Sequence, residues 1–257
     1  FENEKETLIE NLQKLVKMIF SKGNMMVSYT ATKEGLAGLE AELAKVRDGL
    51  YEAQQEEHRC VIHCEKKNEG FQTSSKVQFV AQAGNFLDAG KEYHGALQIL
   101  KVIMSYEYLW INIRVKGGAY GCMSNFNRIG EGYFVSYRDP NLKKTLDVYA
   151  GVPEYLKNFT VSERDMTKYI IGTISNIAQP MTPAAKGDRS MNLYMNHLTE
   201  AMIQEERMQI LRATQEDIRN LAEIAEAVLA CNQICVIGNE EKIDEEKEVF
   251  GEVTALF

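Results

Sequence analysis

The apolar positions of this chain begin as a helical stripe. In EKETLIENLQKLVKMIFS, Leu8, Leu12, Leu15, Val16, Ile19 and Phe20 recur at helical spacing and share one face. After a Lys22-Gly23-Asn24 turn, MMVSYTAT is rich in β-formers and predicts a short strand. KEGLAGLEAELAKVRDGLYEAQQEE predicts a second helix, with leucines at 36, 39, 43 and 50. Helix, strand and helix over residues 1–55 are too little for a domain with its own core.

From about residue 58 the texture changes. RCVIHCE reads as a strand, KNEGFQTSS as a turn-rich connection, and KVQFVAQAG as a second strand. NFLDAGK leads into a long helix predicted over 93–113. YGCMSNFNR and EGYFVSYRD read as two strands joined in a hairpin around Ile129-Gly130. A helix starts just after Pro140, a position that suits proline. Ser162-Glu-Arg-Asp165 and Thr214-Gln-Glu-Asp217 have the form that caps a helix N-terminus, and each precedes a periodic apolar run. Between them QPMTPAAKGDR reads as a loop and 188–211 as a helix; CNQICVIGN is a buried-type strand, and EEKIDEEKEVFGEV a closing acidic helix. Strands separated by helices yet also paired as hairpins give a mixed sheet with helices stacked on one face. Residues 56–257 are expected to form that complete domain, and 1–55 to be the end of a similar one before it.

Charge and cysteine content narrow the function classes. A net charge of −8 and a pI near 5.2 argue against nucleic acid as a partner. No apolar run approaches a membrane span, and the acidic opening FENEKE lacks signal-peptide character. The five cysteines, 60, 64, 122, 231 and 235, include no CxxC pair, so reduced thiols in a cytosol-like compartment are expected. A bacterial cytoplasm is the expected location, with a eukaryotic organelle as the alternative. A start at Phe1 predicts a piece of something longer.

The candidate chemistry starts with what does not fit. His58 and His63 lie five apart beside Cys60 and Cys64, but no HExxH, HxxEH or CxxC spacing occurs. His94 and His197 are isolated and read as surface or cap residues, Cys231 and Cys235 as small hydrophobes on a strand. Cys122 has no histidine beside it in sequence to make it a nucleophile. GGAYG matches neither GxGxxG nor GxxxxGK[ST], and it follows a helix where a phosphate loop precedes one. What remains is RVKGGAYG, residues 114–121, with two readings. In the first it is a helix stop: Arg114 complements the helix end, and Gly117 or Gly118 takes positive φ. In the second the glycines let a bound ligand approach the backbone, while Arg114 and Tyr120 donate to a developing oxyanion.

At these residues the sequence resembles a known family. YLWINIRVKGGAYG followed by GYFVSYRDPNLKKTLDVY is similar to the C-terminal half of the presequence-protease subgroup of insulinase/pitrilysin zinc peptidases. KNEGFQTSSKVQFVAQAGNF before it, and ERDMTKYIIGTIS, AKGDRS and EERMQILRATQEDIRNLAE after it, extend the likeness over about 65–230. The resemblance implies an α+β fold whose mixed, largely antiparallel sheet carries helices on one face, and a chain formed by the end of the third and all of the fourth of four similar domains. It implies two halves that close around a chamber, zinc and general base in the N-terminal half, and unfolded peptides as substrates. It further implies that Arg114 and Tyr120 contact substrate, with Gly117 and Gly118 as backbone contacts beside them. The chain has no HxxEH, so it is expected to hold no zinc and to cleave nothing alone; its partner would be the N-terminal half of the same polypeptide. The alternative within the superfamily is a non-catalytic scaffold or peptide-binding homologue.

Overall fold

The computed structural model describes residues 4–52 and 65–256. Helices α1 (Lys5–Ile19) and α2 (Lys33–Asp48) come first, then strands β1 (Glu69–Thr73) and β2 (Gln78–Asn85). Helix α3 (Ala96–Tyr106) leads through a π-helical turn, Trp110–Val115, into strands β3 (Gly121–Phe126) and β4 (Glu131–Asp139). Helices α4 (Lys143–Ala150), α5 (Val152–Lys157), α6 (Glu163–Ile177) and α7 (Pro183–Met195) follow. Then come α8 (Glu200–Leu211), α9 (Gln215–Asn220) and α10 (Ala222–Ala230). The described chain ends with β5 (Gln233–Asn239), α11 (Glu240–Glu245) and β6 (Glu252–Ala255). Contacts group these elements into two compact units, one within 1–63 plus 180–199 and one within 64–179 plus 200–257.

The larger unit is built on a sheet with strand order β3-β4-β2-β5-β1-β6. β4 runs antiparallel to β3 and β2, β2 antiparallel to β5, and β1 parallel to both β5 and β6. Side chains alternate across each strand. Val80 of β2, Phe134 of β4 and Val236 of β5 fall on the face that α3, α4 and α10 cover, and all three are fully buried. Leu97, Ile99, Leu100, Ile103 and Met104 of α3 are buried as well. Tyr149 of α4 stacks on Phe134 and donates its hydroxyl to Val80 O at 3.1 Å. On the opposite face Phe79, Met123 and Ile237 remain exposed at 45, 44 and 41%. The sheet is therefore mixed, largely antiparallel and covered by helices on one side.

Local signals hold where the chain supplies its own partners. Ser162 Oγ accepts from Asp165 N at 3.2 Å, and Thr214 and Asp217 form a full capping box. The hairpin turns at Gly130, with φ +89. Tertiary pairing overrides the local reading elsewhere. The turn expected in KNEGFQTSS is β1, the strand that joins β5 to β6; Gly70 within it lets Ile243 and Phe250 approach, since a Cβ would lie 3.0 Å from Ile243 Cγ2. The closing acidic helix shortens to α11, and the remainder turns back as β6. The loop expected at QPMTPAAKGDR is largely helix: Thr182 caps α7 and Pro183 occupies its first turn. The helix expected over 188–211 breaks between α7 and α8, where His197 takes φ 55. The strand expected at RCVIHCE, the His58 and His63 pair and the boundary near residue 55 lie outside the described residues.

In the smaller unit MMVSYTAT joins no strand among the described residues; residues 25–30 run without a ladder partner to hold them as one. A bridge from Ser21 to Tyr51 and an ion pair from Lys22 to Glu52 tie the ends of α1 and α2. The apolar stripe of α1, from Leu8 to Phe20, is between 41 and 59% exposed, and neither α1 nor α2 contains a buried residue. Among the described residues no helix is long and apolar enough to cross a membrane.

This contrast predicts where truncation is felt. Phe134→Ala should lower the unfolding free energy by about 3–5 kcal/mol. Leu12→Ala, with half its side chain in water, should change it by less than about 0.5 kcal/mol. Urea unfolding of the two variants measures both.

Candidate functional site

Helix α3 ends where Glu107 leaves helical geometry, at φ −112 and ψ −96. Leu109 and Ile113 are buried and anchor the next segment, which winds as a π-helical turn closed by Lys116 N to Ile111 O at 2.9 Å. Such turns occur mostly as single insertions and often at functional sites. Here the turn brings the Arg114 guanidinium over the Trp110 ring, 4.1 Å from its centroid.

The two glycines then make the exit. Gly117 packs so closely that a Cβ would lie 2.4 Å from Ile113 O, and Gly118 takes φ +81. Gly118 N donates to Arg114 O at 3.0 Å and Ala119 N to Ile113 O at 3.1 Å, which satisfies the last carbonyls of the turn. Ala119 is buried, and Tyr120 emerges with its side chain 59% exposed. Its backbone N–H donates to Arg138 O at 3.2 Å, joining the loop to β4.

A buried carboxylate fixes this arrangement. Asp139 has no exposed surface; it accepts from Asn141 N at 2.9 Å, Asn141 Nδ2 at 3.3 Å and Thr145 Oγ1 at 2.7 Å. The same Asn141 amide donates to Gly117 O at 2.7 Å. One residue before Asp139, strand β4 carries a bulge. Val80 pairs with Ser136 and Gln78 with Asp139, so Tyr137 and Arg138 together face Phe79 alone. Arg138 has φ 48, a left-handed backbone uncommon outside glycine.

The structure thus brings Arg114 and Tyr120 together, with the guanidinium carbon 6.0 Å from the phenol ring centroid. Gly117 and Gly118 shape the turn between them. It also adds three residues that the sequence did not single out. Tyr137 packs on Tyr120 with centroids 5.5 Å apart, Arg138 lies 5.6 Å from the Tyr120 ring, and Trp110 supports Arg114. No motif announces a π-helical turn or a bulge; the one available cue was that Trp110 is the sole tryptophan of the chain. Among the described residues neither guanidinium enters an ion pair or a hydrogen bond. The site offers guanidinium and phenol donors and no carboxylate, a set suited to an oxyanion, a carbonyl or a carboxylate.

Among the described residues no group of three or more His, Cys, Asp or Glu could hold a metal ion, so this set does not fit zinc. His94 caps locally, its Nδ1 accepting from Ala96 N at 3.1 Å. Cys122, next to the site on β3, is unsuited to attack. Burial pushes its thiol up to about 11, nearby Asp139 adds to the shift, and Arg114 opposes it. At pH 8 alkylation of Cys122 should therefore run on the order of 10²-fold slower than that of a free thiol. The rate should climb with pH towards 11, read by mass spectrometry at that peptide; a plateau near pH 8.5 would contradict the burial.

Several known proteins are similar to this chain. The family model described as the PreP C-terminal domain matches residues 68–240, which include every site residue above. Protein HypA of Clostridium perfringens is 41% identical over 255 residues, covering 99% of this chain and 26% of that protein. Presequence protease 1, chloroplastic/mitochondrial, of Arabidopsis thaliana is 30% identical over 245 residues, 93% of this chain and 22% of that protein. The chain thus spans about a quarter of the length of these relatives. The crystal structure of pitrilysin shares the fold with a TM-score of 0.52 at 13% identity, over 80% of this chain and 23% of that one. The chain belongs to the PreP C-terminal domain family.

Proposed function

We propose that this chain belongs to the C-terminal, substrate-chamber half of a zinc metalloendopeptidase that degrades short unfolded peptides, acting in the cytosol. In this reading the chain supplies donors to the substrate, while zinc, the general base and the remaining chamber wall come from the N-terminal half of the same polypeptide. The observation that carries it is the pairing of Arg114 and Tyr120 as uncommitted donors on a rigid turn. Membership of a peptidase family supplies the reaction class.

The chemistry assigned to these residues is electrostatic. As a scissile carbonyl becomes tetrahedral, negative charge grows on its oxygen. The Tyr120 hydroxyl donates to that oxygen, and the Arg114 guanidinium donates beside it or to the adjacent substrate backbone. Both gain strength as charge develops, so they favour the transition state over the bound peptide. Trp110 and the Asn141 bond to Gly117 hold them in place, which removes the need to organise donors during the reaction. They reach the reacting carbonyl only when the two halves close, so closure completes the catalytic site.

In the full-length protein, Tyr120→Phe should lower kcat by roughly 10²–10³ with a small change in KM. Steady-state cleavage of an unstructured fluorogenic peptide reads this, and an unchanged kcat/KM removes Tyr120 from the mechanism. Arg114→Lys keeps the charge but loses the planar fork stacked on Trp110, so it should lower kcat/KM by at least about tenfold. A full-length wild type that binds such peptides but cleaves none would favour the scaffold reading.

A further inference from the structure

Arg138 is a second cation at the Tyr120 site, and nothing in the mechanism above uses it. Three features of β4 bring it there. Alternation along the strand would place Arg138 on the same face as Ser136, which is fully buried beneath the helices. The bulge opposite Phe79 breaks that alternation: Tyr137 and Arg138 both escape burial in succession, and Asp139 returns to the interior. The left-handed backbone at Arg138 makes this possible, and the bonds that Asp139 accepts from Asn141 and Thr145 keep it in place. Bulges recur next to functional sites, where they re-aim a side chain.

The charges around it point to the ligand. Among the described residues some of the chain's 29 Lys and Arg have an acidic partner and others have none. Lys67, Lys91, Arg128, Lys143 and Lys157 each take one. Arg114 and Arg138 do not pair among the described residues, although they flank the same tyrosine ring at 6.0 and 5.6 Å. Asp139, adjacent in sequence, directs its carboxylate to Asn141 and Thr145 instead. Two uncompensated guanidiniums beside one phenol form a receptor for an anion. A guanidinium stacked on an aromatic face keeps its edge N–H groups free for a carboxylate.

We propose that Arg138 makes this site a carboxylate receptor, which selects peptides that place a carboxylate beside Tyr120. This rests on the reading that a peptide occupies the site. The carboxylate could belong to the peptide's own C-terminus or to an Asp or Glu side chain. In either case Arg138 is a specificity residue that grips the ligand, whereas Arg114 and Tyr120 act on the reacting carbonyl.

Trp110 allows a direct test, because it is the sole tryptophan and lies 4.1 Å from the Arg114 guanidinium carbon. Its emission is titrated on the 257-residue chain with four unstructured, tryptophan-free peptides of one length. The first has neutral side chains and a free C-terminus; the second is the same peptide amidated. The third is amidated with a central Glu, and the fourth amidated with Gln in its place. The wild type should bind the first or the third about tenfold more tightly than its neutral counterpart. Whichever pair shows the difference identifies the source of the carboxylate.

Arg138→Gly, which suits the positive φ and so preserves the turn, should abolish the preference within that pair of peptides. Arg138→Lys should retain part of it. Equal binding of all four peptides by the wild type, or a preference that survives in Arg138→Gly, overturns carboxylate selection and leaves the peptide-site reading standing. Absence of any Trp110 response to all four overturns both.

Discussion

The carboxylate of Asp139 is the constraint on which the rest of the site depends. A carboxyl group with no exposed surface is tolerable only when its polar atoms have partners, and here Asn141 and Thr145 supply them. Because Asn141 spends its remaining amide proton on Gly117 O, the same knot fixes the loop between the π-helical turn and β3. Because Asp139 must point inward, the two residues before it are forced through the bulge that turns Tyr137 and Arg138 out. One buried side chain thus ties down groups on both sides of Tyr120.

Much of this framework was legible in the sequence. Alternation in KVQFVAQAG and EGYFVSYRD placed β2 and β4, and the Ser162 and Thr214 caps placed the starts of α6 and α9. These signals are local: each residue set carries its own partner within a turn or a hairpin. The failures are those of non-local pairing. β1 and β6 have weak strand character alone and form because the edge of β5 is available to β1, and β1 in turn to β6. MMVSYTAT has strong strand character and pairs with nothing among the described residues.

The site was half legible for the same reason. Arg114, the glycines and Tyr120 lie within one short segment, so their grouping could be read directly and their likeness to a family recognised. Trp110 precedes them by a turn whose π geometry has no sequence signature, and Tyr137 and Arg138 arrive from a strand whose simple alternation would have buried Arg138. Together these residues contribute hydrogen-bond donors, positive charge and aromatic walls, and no nucleophile, base or metal set among the described residues. Phe79, Met123 and Ile237 on one sheet face and the apolar stripe of α1 are exposed among the described residues.

The central claim is that this chain completes a catalytic site whose reactive groups lie in the polypeptide before it. The most direct measurement is peptide cleavage by three preparations: this chain, the whole segment of the polypeptide before it, and the two mixed. The account predicts cleavage by the mixture at a rate far above either part, and none by this chain. Cleavage by this chain alone, or a preceding segment as active without it, would contradict the account.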